Sequence, residues 1–337
     1  MTSTRPTYGY HSSGFQRSMS DDEIRRVAPA VFATSKAEET SDKYQFVSTE
    51  KFHNIIKSHG YAPVDVQSKR GKDALHADHQ IIYQRVDDQS RLVNVGDELF
   101  QMRMRNSHNG KTAKQLIAGI FRKICANGMT VCIGEDGRIK IVHMGSDIEE
   151  RINIGLERIT MFAPLALEVA REMKLIQVDL DVARVLAEEA IVERWAKPGR
   201  DLLLPDGTYI EYEARQLDDA LDVTESMDDE DDEDEAPSLG PVLVPVTIDQ
   251  MIKSRRQADK WTEGNDPRNN LYTVHNIIQE NVLEGGMYGA SFDAKGNRKR
   301  KDVKVRRVSG IEQNDRINTQ LWKLSMATMA MLKKPVV

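Results

Sequence analysis

The stretch from Met102 to Met129, MRMRNSHNGKTAKQLIAGIFRKICANGM, constrains the fold more than any other part of the chain. Three runs precede or enter it in which apolar and polar residues alternate: Tyr61–Ser68, His79–Val86 and Glu98–Arg105. Period-two alternation puts successive side chains on opposite faces, so these runs predict three strands of an antiparallel sheet. In the third run Phe100, Met102 and Met104 share the face expected to be core, which leaves Arg103 and Arg105 on an open face. Asn106-Ser107-His108-Asn109-Gly110-Lys111 then reads as a tight polar turn. From Thr112 to Ala126, Leu116, Ile117, Ile120, Phe121 and Ile124 recur at helical spacing. Lys111, Lys114, Arg122 and Lys123 lie outside that stripe, so the spacing predicts a basic amphipathic helix stopped by Asn127-Gly128. The expected unit is β-β-β-α.

The flanking sequence extends this picture. Residues 1–19 show no periodicity and read as a flexible tail. Ser20 followed by Asp21, Asp22 and Glu23 predicts a capped helix start, and Pro29 ends that helix. Ser48 or Thr49 caps a second helix with Phe52, Ile55 and Ile56 on its apolar face and Gly60 just beyond its end. Glu135-Asp136-Gly137 predicts a hairpin between 130–133 and 138–143. Downstream the pattern is mostly helical: from Asp147 to Lys174 with Pro164 inside, from Val178 to Trp195, from Thr247, from Asn269 to Val282, and from Glu312 to Lys333. Pro205-Asp206-Gly207 predicts a small hairpin. Strands early and helices late argue for an α+β fold, a small antiparallel sheet with a mostly helical C-terminal half. The expected divisions are a tail over 1–19, an α+β core over 20–215, an acidic disordered insertion over 216–240 and a helical part over 241–337 with a basic segment at 295–307.

Charge is the second constraint. The chain of 337 residues carries a net charge of −6. Twelve acids and no base fall between Asp218 and Glu235, so the remainder stands at +6. Eight bases and one acid fall between Lys295 and Arg307. A mildly basic body with one acidic appendage suits a nucleic-acid partner, although a charge of this size is also ordinary for a soluble surface. No run of about 18 apolar residues exists, so no membrane span is expected. The first residues lack an apolar secretory segment and the two cysteines make no disulfide framework, so the expected place is a reducing cytoplasm.

Four candidate sites follow. Asn106, Ser107, His108, Asn109 and Lys111 form a turn able to contact phosphate, supported by Arg103, Arg105, Arg122 and Lys123; the alternative is a polar turn and helix cap. Arg298, Lys299, Arg300 and Lys301 form a backbone-binding arm or a solvated hairpin. His76, His79, Cys125 and Cys132 lack zinc-site spacing, since HxxH on a strand points its rings to opposite faces. Cys125 at a helix end that disfavours thiolate is a poor partner for His108. No cofactor or metal site is expected. The acidic run over 218–235 could occupy the basic surface, solubilise the chain, or bind a partner protein.

The block NSHNGKTAKQLIAGIFRKICANGM resembles the NSHDG…RxVCxNG hallmark of the phage- and plasmid-borne domain-of-unknown-function family 932. APAVFA, YQFVSTEKF, Gly60-Tyr61-Ala62-Pro63-Val64 and HQIIYQR fit the same family in order, as do HNIIQENVLEGG and NTQLW downstream. The resemblance covers about residues 20–330 apart from the acidic insertion, and it implies a mobile-element protein, often encoded near replication or recombination genes, without implying an activity. Asn109 stands where the family commonly has Asp. The β-β-β-α unit is also similar to the core of ring-forming single-strand annealing proteins, in which basic residues of sheet and helix line a groove for single-stranded DNA.

The leading expectation is therefore a phage-encoded protein that binds single-stranded DNA through Arg103, Arg105, Lys111, Arg122 and Lys123, with strand annealing as a homo-oligomer. Low aromatic content argues against extensive base stacking. Two alternatives stand beside it: a nucleic-acid-processing enzyme with His108 as acid–base, and a counter-defence or host-takeover protein acting through protein contacts.

Overall fold

Residues 17–40, 44, 46–69, 73–87, 92, 98–110, 114–122, 128–131, 139–141, 148–212, 240–254, 269–293 and 295–333 are described by the computed structural model of the chain. In chain order the elements are α1 (Asp21–Val27), α2 (Thr49–Ser58), β1 (Tyr61–Ser68), β2 (His79–Arg85), β3 (Glu98–Asn106), β4 (Lys114–Arg122), β5 (Gly128–Val131), β6 (Ile139–Ile141), α3 (Ile148–Leu175) and α4 (Leu180–Trp195). They continue with β7 (Leu202–Leu203), β8 (Tyr209–Ile210), β9 (Val242–Leu243), α5 (Ile248–Ile252), α6 (Leu271–Glu284), β10 (Tyr288–Gly289), β11 (Val303–Lys304) and α7 (Ile311–Leu332). The architecture is α+β. It divides into a first unit, Met1–Ile176 with Ser309–Val337, and a second, Gln177–Val308. The composition-based divisions at 20–215 and 241–337 differ from this: the chain leaves the first unit after α3 and returns to it for α7.

The first unit is built on an antiparallel sheet in the order β1-β2-β3-β4-β5, with β6 also on β4. Ile81, Tyr83, Met102 and Met104 on one face of the sheet pack with Ile24, Val31, Phe32, Phe52 and Ile56 in one buried cluster. The helices that cover this face start where their sequence says. Ser20 accepts from the Glu23 amide and Glu23 reaches back to the Ser20 amide, a capping box. Ser48 caps α2, whose buried Thr49, Phe52, His53 and Ile56 follow the i, i+3, i+4, i+7 stripe of an amphipathic helix. Arg17–Met19 are part of this fold, not of a tail, since the Met19 amide donates to the Pro63 carbonyl at 2.7 Å.

Three expectations give way here. Within the segment predicted as a basic helix over 112–126, Lys114–Arg122 is a strand: β4 pairs with β3 from Glu98 opposite Arg122 to Arg105 opposite Gln115. An apolar run this short satisfies both periods, and Ile117, Ile120 and Phe121 prefer a pleated surface with Gly119 among them. The unit is therefore a four-stranded meander, not β-β-β-α. The hairpin expected around Glu135-Asp136-Gly137 is absent among the described residues: β5 pairs with Ala118–Phe121 and β6 with Lys114–Leu116, both antiparallel to β4, so they lie end to end along one edge. Helix α3 runs for 28 residues with Pro164 inside it.

The third correction concerns the second face of the sheet, expected to be open. Gln80, Gln84, Gln101, Arg103 and Arg105 point there and all are buried. Arg103 donates to Asp315 of α7 at 3.1 Å, and Arg105 makes a two-pronged pair with Asp78 at 3.0 and 2.6 Å. Taking one partner from a buried pair strands the other charge, which costs about 3–5 kcal/mol, whereas replacing both by apolar groups is often neutral. Asp315→Ala is expected to lower unfolding free energy by about 3 kcal/mol. Arg103→Met combined with Asp315→Leu should recover most of it, as read by urea denaturation.

Candidate functional site

The Asn106–Gly110 turn ends β3 inside the first unit, not on its surface. Asn106, Ser107 and His108 are all fully buried at 0% exposure. His79 lies directly opposite Asn106 in the β2–β3 register, so their side chains share the core face. Thr49, in the first turn of α2, meets both. Its hydroxyl oxygen lies 2.6 Å from Asn106 Nδ2, 3.0 Å from His79 Nε2 and 3.1 Å from His108 Nε2. The proton count is fixed by the remaining partner. His79 Nδ1 faces the Ala77 carbonyl at 2.8 Å and must donate. In the neutral ring Nε2 is then an acceptor, and it takes the Thr49 O–H. The two lone pairs of the Thr49 oxygen accept from Asn106 Nδ2 and from His108 Nε2, so all three capacities of one hydroxyl are used.

The backbone of the turn is held as firmly. The His108 amide donates to the His76 carbonyl at 3.1 Å and its carbonyl accepts from the Ala37 amide at 2.9 Å. Tyr44 donates to the Ser107 carbonyl at 3.0 Å, and burial pushes its phenol up to about 12. Phe46 stacks on the His108 ring at 4.9 Å between centroids, with the His79 ring 5.4 Å away. Gly110 takes φ +75°, the left-handed conformation that closes the turn.

Placing the sequence-predicted residues on this geometry divides them. Arg103, Arg105, Asn106, Ser107 and His108 are buried and engaged within the first unit, so none is available to a DNA backbone, and His108 has no access to a substrate as an acid–base. The physical reason is that each found an internal partner distant in sequence: Asp315 for Arg103, Asp78 for Arg105, Thr49 for Asn106 and His108, and Tyr44 for the Ser107 carbonyl. Asn109 is half-buried at the rim of the turn. Lys111, Lys123, Cys125 and Cys132 lie outside the described residues; of Arg122 only the backbone, in β4, is described. The acidic run over 218–235 also lies outside them. Among the described residues no three His, Cys, Asp or Glu side chains gather as a metal site. No helix among them is long and apolar enough to cross a membrane.

Two further polar groups were not legible beforehand. On α2, one turn after Thr49, buried His53 bridges Tyr83 at 2.8 Å and Asp21 at 3.0 Å, with Lys57 also on Asp21. Burial holds the His53 ring below its ordinary value, and burial also pushes the Tyr83 phenol up. In the second unit α6 is buried on nearly every side. Tyr272, His275 and Gln279 share one of its faces, and full burial lowers the His275 ring from 6.5 to about 4.

Of the predicted binding residues, Arg298, Lys299, Arg300 and Lys301 are all exposed. They sit in the second unit on a ribbon formed by β10 and β11, with Tyr288 opposite Lys304 and Gly289 opposite Val303. The loop between the strands has a defined shape. Asp293 accepts from the Lys295 and Asn297 amides at 2.9 Å each, and the Lys299 amide donates to the Ser291 carbonyl at 2.8 Å. Those hydrogen bonds, first that of Asn297, hold the Asp293 carboxyl below its ordinary value. At the base of the ribbon Gly285 has φ +55°, and a Cβ there would lie 2.6 Å from the Val305 carbonyl oxygen, so only glycine permits the approach. Arg298 makes a loose pair with Asp302 at 3.6 Å. Lys299, Arg300, Lys301 and Lys304 have no carboxylate within ion-pair reach among the described residues.

Comparison with known proteins places this arrangement. Residues 36–322 match the family described as a domain of unknown function, DUF932. The chain belongs to that family. Within it, the chain is similar to two Escherichia coli (strain K12) proteins, UPF0380 protein YfjQ and UPF0380 protein YafZ. Each is 24% identical over 317 residues, covering 94% of both chains. No solved structure matches. In this DUF932 chain, the stretches YQFVSTEKF, HQIIYQR and NSHNG supply Thr49, His79, and Asn106 with His108 to the buried cluster.

Two outcomes test the site as a structural node. Thr49→Val keeps the shape but strips a hydroxyl from three buried partners, and unsatisfied buried groups cost about 1–3 kcal/mol each. It is expected to destabilise the first unit by about 3 kcal/mol or more in urea, while Thr49→Ser, which keeps the hydroxyl, costs about 1 kcal/mol. His275 sets the second. Below its unfolded value of 6.5 the unfolded chain binds a proton that the folded ring refuses down to about 4. Stability is therefore full above that window and lost as pH falls through it, by about 3 kcal/mol in all. His275→Gln should flatten that part of the stability–pH curve.

Proposed function

We propose that this DUF932 chain is a DNA-metabolism protein of a mobile element that binds single-stranded DNA by its phosphates, through the basic ribbon of the second unit. The observation that carries the reading is the contrast between its two sets of basic side chains. Arg103 and Arg105 are buried on carboxylates, so their charge is already neutralised. Lys295, Arg298, Lys299, Arg300, Lys301 and Lys304 are all exposed on one ribbon whose loop is shaped by backbone hydrogen bonds. A cluster of exposed cations repels itself unless an anion is present, and a polyanion that releases its counterions on binding gains most from it. A loop already ordered loses little conformational entropy when it binds.

The reading differs from the expected groove on sheet and helix, since that helix is a strand and those arginines are buried. The likeness to annealing proteins rested on the same helix and lends no support to annealing. Membership of the family fits a role in mobile-element DNA metabolism without specifying one.

Fluorescence polarisation of a labelled single-stranded oligonucleotide over a salt series is the test. Four phosphate contacts to a single strand correspond to a slope of about −3 in log K against log salt. Replacing Arg298, Lys299, Arg300 and Lys301 by alanine is expected to remove about that much slope and weaken binding by about a hundredfold at low salt. Absence of binding by the wild type at low salt, or an unchanged slope in the quadruple variant, rejects the ribbon as the site.

A further inference from the structure

The ribbon carries one aromatic residue that the fold does not use. Tyr288 is 66% exposed. Large aromatic side chains usually bury most of their area, and a tyrosine hydroxyl can hold a partner even where the ring is exposed. Tyr209, the other strongly exposed tyrosine of this unit, does so by donating to Asp201. Tyr288 does not: its backbone carbonyl accepts from Gln250 Nε2 at 3.0 Å, but its hydroxyl makes no hydrogen bond and its ring no aromatic or cation–π pair among the described residues.

Its surroundings are those of a platform. Lys304 lies directly opposite in the antiparallel pair, so the two side chains project to the same side. Arg306 follows two residues further on and is exposed, whereas Val305 between them is buried, so Lys304 and Arg306 share that side. The neighbours of Tyr288 along its own strand are Gly286, which has no side chain, and Ala290, which is buried. Nothing on the strand covers the ring. Ser291, three residues on, bonds through its hydroxyl to the Lys301 carbonyl at 2.6 Å and through its carbonyl to the Lys299 amide at 2.8 Å. Three extended residues span about 10 Å, so the basic loop begins within that distance of the ring's backbone.

We infer that Tyr288 is a stacking platform for an unpaired base, and that the ribbon is thereby a site for single-stranded nucleic acid in preference to duplex. The inference rests on the phosphate-binding reading of the same ribbon. Chemically it asks for a flat, open aromatic face beside cations that hold the adjoining phosphates, which is how single strands are bound without sequence preference. In a duplex each base face is already occupied by its neighbours, so the ring gains nothing there. One ring is enough to make the distinction, which is why a chain with only 6% aromatic residues can still read strandedness.

The test compares three labelled probes of equal length on the full-length chain: oligo(dT), an abasic strand with the same phosphates, and a duplex. Wild type is expected to bind oligo(dT) on the order of tenfold more tightly than the abasic strand, the worth of a stacked base. Tyr288→Ala should abolish that difference while leaving abasic binding and the salt slope unchanged. Tyr288→Phe should keep it, since the hydroxyl has no role. Because the ring is exposed, both variants are expected to melt at the wild-type temperature. Equal binding of oligo(dT) and abasic strand by the wild type, or oligo(dT) binding untouched in Tyr288→Ala, overturns the stacking site and leaves the phosphate reading standing. Failure to bind any probe at low salt removes the phosphate reading, and the platform with it.

Discussion

One hydroxyl organises the first unit. Thr49 Oγ1 receives Asn106 and His108 and donates to His79, which joins the start of α2 to the ends of β2 and β3 and to the turn that leaves the sheet. A buried polar group without partners is expensive, and a network satisfied at every member rigidifies the structure around it. Here the three capacities of the Thr49 hydroxyl are all used in only one arrangement of protons, because the Ala77 carbonyl dictates which nitrogen of His79 carries hydrogen. The geometry thus specifies more than contact. It fixes where α2 begins, how His79 registers against Asn106, and the conformation of the turn through Gly110.

The same logic extends along α2 and across the sheet. One turn after Thr49, His53 repeats the pattern with Tyr83 and Asp21, so the helix is pinned to β2 and α1 by two polar anchors set in an apolar stripe. On the opposite face Arg103 and Arg105 are neutralised by Asp315 and Asp78. Burying such groups adds little to stability by itself, but a misplaced strand would leave charges unpaired on one face and a histidine unbonded on the other. A one-residue slip in strand register exchanges the faces entirely, so polar groups of different kinds on the two faces penalise it strongly.

How much of this the sequence discloses follows from how local each signal is. The caps at Ser20 and Ser48, the strands at Tyr61, His79 and Glu98, and the turn at Pro205-Asp206-Gly207 depend on neighbours within a few residues, and the structure has them where the pattern puts them. Lys114–Arg122 suits a helix as well as a strand because its apolar positions satisfy both periods, and its pairing with β3 is a tertiary fact. The Asn127-Gly128 pair read as a helix stop is equally a hairpin signal, and Gly128 opens β5. Arg103 looks exposed on any local argument; its partner Asp315 lies 212 residues away. Tyr288 carries no sequence signal that separates a bare aromatic ring from a core one.

The contrast between buried and exposed cations is the most informative feature for function. An arginine facing a carboxylate in a dry interior has its field cancelled at short range. The ribbon's lysines and arginines face water, on a loop whose shape comes from the Asp293 turn and the Lys299–Ser291 hydrogen bond. Those bonds use backbone amides, and Lys299, Arg300, Lys301 and Lys304 have no carboxylate within ion-pair reach among the described residues. Gly285 sharpens this further, since its close approach to the Val305 carbonyl ties the return strand to the end of α6. A flexible basic tail would bind polyanions as well at low salt but would lose the entropy of its own ordering on each encounter. A ribbon anchored at both ends avoids that loss, and it holds Tyr288 directly opposite Lys304.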